Sequence, residues 1–193
     1  LQVNNWNEQR KNRNKESIYL NGIKNDLKSD AQNMALIISK FDDLNARFLL
    51  LDSLNKYELM NRSYLTELGP PMQLIAPPVK FRNNSGYFDS MISEGNSGLI
   101  SNVELLSNIQ NVYNINYKRL ADIAQRIDQQ ADLIRWELRD TYYTRDSIFL
   151  KKSSALNVLS SMGLRNHYRN VLEKNRSNVF ELIKLIEIEL EKL

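Results

Sequence analysis

From Glu16 onward the apolar residues return at intervals of seven. Leu20, Leu27, Met34, Phe41 and Phe48 form one series, and Ile23, Ile37, Leu44 and Leu51 stand three positions further on. Steps of three, four and seven keep side chains on one face of a helix with about 3.6 residues per turn, so the pattern predicts an amphipathic helix from Glu16 to Leu68. A helix of that span would be roughly 75 Å long, which leads us to expect a bend or break near Asp42 and Asp43, with Gly22 as a second candidate. The stop is at Gly69-Pro70-Pro71: glycine can take a left-handed cap, and proline has no N–H with which to continue.

A second Pro-Pro pair, Pro77 and Pro78, makes residues 69–84 an extended crossover that Leu74, Ile75, Val79 and Phe81 would pin down. A short helix is expected around Tyr87 to Ser93, begun by Ser85 and closed by Gly95. Ser101-Asn102-Val103-Glu104 has the form of a capping box, hydroxyl and carboxylate satisfying the free N–H groups of a helix start. The helix it opens carries Leu106, Tyr113, Leu120, Ile127 and Ile134 at sevens and should run to about Arg145. Ser153 or Ser154 would cap a brief helix ending at Gly163, and a last helix carries Leu172, Val179, Ile186 and Leu193, with Leu182 and Leu190 widening its stripe. No segment alternates with period two. The expected fold is all-α, an antiparallel helical bundle with a long N-terminal helix and a Pro-rich crossover, the first helix either bent back or projecting beyond the others.

Composition narrows the chemistry. With 193 residues, 42% hydrophobic and 25% charged, the chain can bury a core without metal or disulfide support. Having no cysteine, it has no disulfide framework, thiolate zinc site or cysteine nucleophile. A net charge of +3, from 26 basic and 23 acidic residues, does not imply nucleic acid.

Between Trp6 and Ile18 stands only Asn7-Glu8-Gln9-Arg10-Lys11-Asn12-Arg13-Asn14-Lys15-Glu16-Ser17. Such a stretch has nothing to bury, and it reads as a solvated stalk or linker helix over residues 1–17, ahead of a bundle domain at 18–193. An ordinary frayed, charged terminus is the plainer alternative. What precedes it is an apolar tail, Leu1 and Val3, followed by Trp6 and a collar containing Arg10 and Lys11, the order in which a membrane helix leaves a bilayer with Trp at headgroup depth.

This opening, LQVNNWNEQRK, resembles the membrane exit of a family of small single-pass bacterial membrane proteins known as domain of unknown function 6090. The similarity continues through Leu20, Asp26 and Leu27, and through Tyr87, Ile92, Gly95, Leu99, Ile100, Asn102, Leu105 and Tyr113. The resemblance implies one membrane helix upstream of Leu1, of about 20 apolar residues. It also implies a bacterial inner-membrane location with the helical domain facing the periplasm. No activity or ligand comes with it.

Candidate chemistry is sparse. His167, in Asn166-His167-Tyr168-Arg169, is the sole histidine. A di-iron bundle wants Glu three residues before its histidine, and that position is Leu164. Zinc hydrolases need further nitrogen ligands, so a partly exposed structural histidine is expected. Asp42 with Asp43, and Glu137 with Asp140, fall on charged helical faces suited to ion pairing. Glu94-Gly95-Asn96-Ser97-Gly98 lacks the Gly-Lys-Ser/Thr of a phosphate loop. Trp136, Tyr142, Tyr143 and Arg145 mix aromatics with a cation, but no basic stripe accompanies them and bundle packing accounts for them.

The segment Ser85 to Asn102 is the candidate interaction loop, with Tyr87, Ile92, Gly95, Gly98, Leu99, Ile100 and Asn102 as its named positions. The alternative is that these residues simply close the end of the bundle. The expected function is a membrane-anchored, extracytoplasmic helical module that binds a protein partner or assembles with its own copies. It would use no nucleic acid, no small-molecule cofactor and no metal, and would have no catalytic residue. A periplasmic ligand-sensing bundle is the second possibility and an enzyme the third.

Overall fold

A computed structural model describes residues 2–53, 80–143 and 152–193, with side chains at residues 6–46, 80–134, 136 and 161–193. The fold is all-α, and no strand occurs among the described residues. In chain order the helices are α1 (Gln2–Ser53), α2 (Gly86–Ser93), α3 (Val103–Asn111), α4 (Tyr117–Tyr143) and α5 (Lys152–Leu190). A 3₁₀ turn, Asn96–Leu99, follows α2, and a π-helical turn, Val112–Asn116, joins α3 to α4.

α1 forms where the heptads place it and passes through Gly22 and Asp42-Asp43 without interruption. The expected break is therefore absent. The ring of Tyr87 lies across Gly22 and leaves no room for a Cβ, so the glycine serves a close approach and not a hinge. Leu20, Ile23, Leu27, Met34, Ile37, Phe41 and Leu44 are all buried. The expected helix end at Leu68 and Gly69, with Leu74, Ile75 and Val79 of the crossover, lies outside the described residues.

The described parts of the chain form two compact units. The first comprises Leu1–Ala35, Arg82–Arg119 and Glu173–Leu193. Within it Glu16 of α1 meets Ser101 just before α3, and Asp30 lies beside Tyr117 at the start of α4, so α1 runs parallel to α3 and the π turn that follows it. α5 runs antiparallel to both: Asn102 donates to Glu189 near the C-terminal end of α5, and Ser17 and Lys24 line a groove with Glu187 and Glu191. Two parallel helices require a long crossover between them.

The second unit comprises Leu36–Phe81 and Leu120–Leu172. Its aromatic centre is Phe41 edge-on to Tyr168, ring centroids 5.5 Å apart, and the Tyr168 hydroxyl accepts the Phe81 N–H at 3.2 Å. Phe81 thus pins the end of the crossover as the hydropathy pattern suggests. Arg169 donates through Nε to Asp42 at 2.9 Å, and Lys80 pairs with Asp128. Asp42 is an ion-pair partner, as a charged helical face implies.

Three details of the helix reading need correction. Gly163 does not end a helix, because α5 continues through it to Leu190. A helical glycine costs about 1 kcal/mol against alanine, and buried Ser161 and Arg165 on either side hold the turn in place. Leu106 is only half-buried, and Leu105 takes its place in the core. The cause is the π turn: Tyr117 N–H bonds to the carbonyl of Val112, five residues back, and the extra residue moves everything upstream by one position. Trp136 is 68% exposed, where bundle packing predicts a largely covered ring, while the side chains of its sequence neighbours Tyr142, Tyr143 and Arg145 lie outside the described ones.

The helix start at residue 103 is capped by Asn102 and not by Ser101. Asn102 Oδ1 accepts the Leu105 N–H at 3.0 Å, and its Nδ2 donates to Glu189 Oε2 at 2.8 Å. Ser101 turns the other way, to Glu16. Asn102→Ala should therefore lower the unfolding free energy by about 1–2 kcal/mol, and Ser101→Ala by less; urea unfolding of the two variants side by side checks the assignment.

Candidate functional site

All the buried polar or charged residues among the described ones occupy heptad positions. Glu16 and Asp30 continue the series of Ile23, Ile37 and Leu44. On α5, Ser161, Asn175 and Glu189 share a series with Tyr168 and Leu182, and Arg165 shares one with Leu172, Val179 and Ile186. A polar group at such a position must find a partner or carry a desolvation penalty. The partners of Glu16 and Asp30 show what these positions do.

The α1 residues Glu16, Tyr19, Gly22, Asp26, Ser29, Asp30 and Asn33 recur at three- and four-residue steps and make one continuous stripe. Each of them touches the segment 82–101. Glu16 Oε1 accepts from Ser101 N at 2.9 Å and from Ser101 Oγ at 3.2 Å. The Tyr19 hydroxyl donates to Glu94 Oε2 at 2.7 Å and accepts from Asn96 Nδ2 at 2.9 Å; that bond from Tyr19, more than any other influence, holds the Glu94 carboxyl below its ordinary range. Gly22 receives the Tyr87 ring, Asp26 Oδ2 accepts the Tyr87 N–H at 3.4 Å, and Asn33 Nδ2 donates to the Arg82 carbonyl at 3.4 Å.

Asp30 is the deepest of these contacts, with no exposed surface. Its Oδ1 accepts from Asn84 N at 2.9 Å and from Asn84 Nδ2 at 2.8 Å. Its Oδ2 is buried with no hydrogen-bond partner among the described residues, as is the hydroxyl of Tyr113. The Tyr113 ring stacks on Phe88 of α2 at 4.4 Å and meets Tyr117 edge-on at 5.3 Å, so the carboxyl sits under an aromatic wall. Burial pushes the Asp30 carboxyl up to about 6 against the hydrogen bonds from Asn84 and Tyr117, and the charge of Asp26 adds to the rise. Burial, then the proximity of Asp30, drives both tyrosine hydroxyls well above the ordinary phenol range.

The loop residues named from sequence divide between two roles. Ile100 is buried, Leu99 half-buried, and Gly95 takes the left-handed φ of +68° that turns the chain after α2. Asn102 is a cap, and Gly98 is exposed. Tyr87 and Ile92 keep 45% and 44% of their surface exposed. Phe88, Met91 and Ile100 seat the segment in the core, and Tyr87 and Ile92 are its outward apolar positions.

At the N-terminus Leu1 lies outside the described residues, and Val3 is in the first turn of α1. Trp6 is 59% exposed with the Arg10 guanidinium 5.7 Å from its ring centroid, a favourable cation–π arrangement. Residues 6–15, Lys11 included, are all exposed, whereas Glu16 is buried. No helix among the described residues is long and apolar enough to cross a membrane. His167 is exposed on α5, and no group of three or more His, Cys, Asp or Glu side chains among the described residues could hold a metal ion.

Against family models, curated proteins and solved structures, the chain finds no match.

Sequence reasoning singled out the segment 85–102 but not the stripe that holds it, nor Asp30. A signal was present. The apolar series at sevens has a gap between Ile23 and Ile37, and the residue in that gap is Asp30; one heptad before Ile23 stands Glu16.

Proposed function

We propose that this chain is the helical interaction or assembly module of a single-pass bacterial inner-membrane protein, facing the periplasm and without chemistry of its own. The observation that carries this reading is the construction of α1. One unbroken helix begins in an exposed neck bearing Trp6, Arg10, Lys11, Arg13 and Lys15, then becomes part of the core at Glu16 and Leu20. That order suits a domain held at a lipid surface from its N-terminal side, and the resemblance of the opening residues supports the same placement. Its partner would be another protein or a second copy of the chain, met through outward apolar positions such as Tyr87 and Ile92.

The ligand-sensing alternative has less support. Two concavities among the described residues are surface grooves, an open one along Ser17, Asn21 and Lys24 with Glu187 and a partly enclosed one along Asn102, Leu105 and Asn108 with Ile188. Sensor sites usually enclose most of the ligand.

The test is to express the full-length gene product with a tag in its native membrane, cross-link it, and identify what co-purifies. We expect a discrete complex of fixed stoichiometry in the membrane fraction, weakened by Ile92→Glu. A protein recovered as a monomer from the soluble fraction, with nothing attached, overturns the reading.

A further inference from the structure

The stripe on α1 holds the segment 82–87 through side chains of opposite character at one point: two bonds from Asn84 to a single oxygen of Asp30, and a second oxygen left bare in the interior. A carboxylate in that position would bury a full charge with half of its acceptor capacity unused. A carboxylic acid would not. Its proton gives the interior a donor beside the Tyr117 hydroxyl, the phenol that stands within hydrogen-bonding range of the Asp30 carboxyl.

We propose that Asp30 is a buried proton-binding site that governs closure of the segment 82–87 over α1: protonated when Asn84 is seated, ionised when that segment lifts and water reaches the carboxyl.

The groups around it argue the same way. From its own helix Asp26 faces it with like charge. α2 contributes Asp89, which acts on the neighbouring Tyr113. The π turn and α4 contribute Tyr113 and Tyr117, and the crossover contributes the neutral Asn84. On α5, Arg176 stands over the Phe180 ring, Lys184 pairs with Glu181 and Arg169 with Asp42. No Lys or Arg among the described residues bonds to Asp30, so only the neutral donors Asn84 and Tyr117 oppose the cost of a negative charge there.

The sign follows from linkage. A carboxyl whose folded-state affinity for the proton is raised favours the closed form at low pH, and that preference is lost as pH rises through the folded value, about 6. Closing is therefore favoured by acid and weakened at neutral pH. This inference is independent of the assembly reading above, and each can fail without the other.

Two measurements on the whole chain decide it. The first is a ¹³C NMR titration of the Asp30 carboxyl carbon. A midpoint close to 6 is expected, and a midpoint at or below the ordinary carboxylate range overturns the proposal. The second is amide hydrogen exchange at Asn84 and Tyr87, corrected for intrinsic rates, in the native protein and in Asp30→Asn. In the native protein the opening equilibrium should rise about tenfold between pH 5 and pH 8. In Asp30→Asn, which keeps an oxygen for Asn84 and supplies a permanent N–H donor, that pH dependence should vanish. Equal pH dependence in the two proteins counts against the proposal. If Asp30→Asn does not fold, the carbon titration of the native chain still decides.

Discussion

Tyr168→Ala should lower the unfolding free energy by about 3–5 kcal/mol, the range found when a large buried aromatic is removed and its space is only partly reclaimed. The Tyr168 side chain is 1% exposed, packs edge-on against Phe41, and receives the Phe81 N–H. Tyr168→Phe keeps the ring and removes only the acceptor, leaving a buried N–H without its partner, for a loss of about 1–2 kcal/mol. Urea unfolding of the pair separates packing from hydrogen bonding. A Tyr168→Phe protein as stable as the native one would mean that the Phe81 bond contributes nothing.

Leu105→Ala should cost about 2–5 kcal/mol and Leu106→Ala only about 1 kcal/mol. An uninterrupted heptad series demands the reverse, since Leu106 stands seven residues before Tyr113. Leu105 is 2% exposed and Ile109 fully buried, whereas Leu106 is partly open to solvent. The difference between the two variants thus measures the register shift made by the π turn at Val112–Asn116. Equal losses, or a larger loss at Leu106, would place the regular helix back through this turn.

Heptad spacing carried most of the architecture, because a helix must bury the same face on every turn and the chain supplies Leu, Ile, Met and Phe there. It could not show the π turn: Val112-Tyr113-Asn114-Ile115-Asn116 contains no residue type that demands a wide turn, and the shift arises only when Val112 and Tyr113 are both buried against neighbours. Gly163 misled for a related reason. Local preference favours a stop there, but burial on both sides is worth more than the local penalty. Ser101 and Asn102 are both good caps in isolation, and the choice between them was made by distant carboxylates, Glu16 drawing Ser101 away and Glu189 holding Asn102. The candidate loop was visible through its glycines and its capping residues. Its anchor was not, because a lone Asp within a charged and apolar helix looks like a surface residue until the gap in the apolar series is counted.

The unbroken neck of α1 has a geometric consequence. Residues 2–15 as a continuous helix form a rod roughly 21 Å long, and each residue in it sets an angle of about 100° as well as a rise. Whatever grips the first turn therefore dictates the compass bearing of the first unit about the rod axis. Insertion of a single alanine between Arg10 and Glu16 would turn Tyr87 and Ile92 by about 100° relative to the first turn of the neck while lengthening the rod by only about 1.5 Å. A flexible Gly/Ser spacer would erase the bearing altogether.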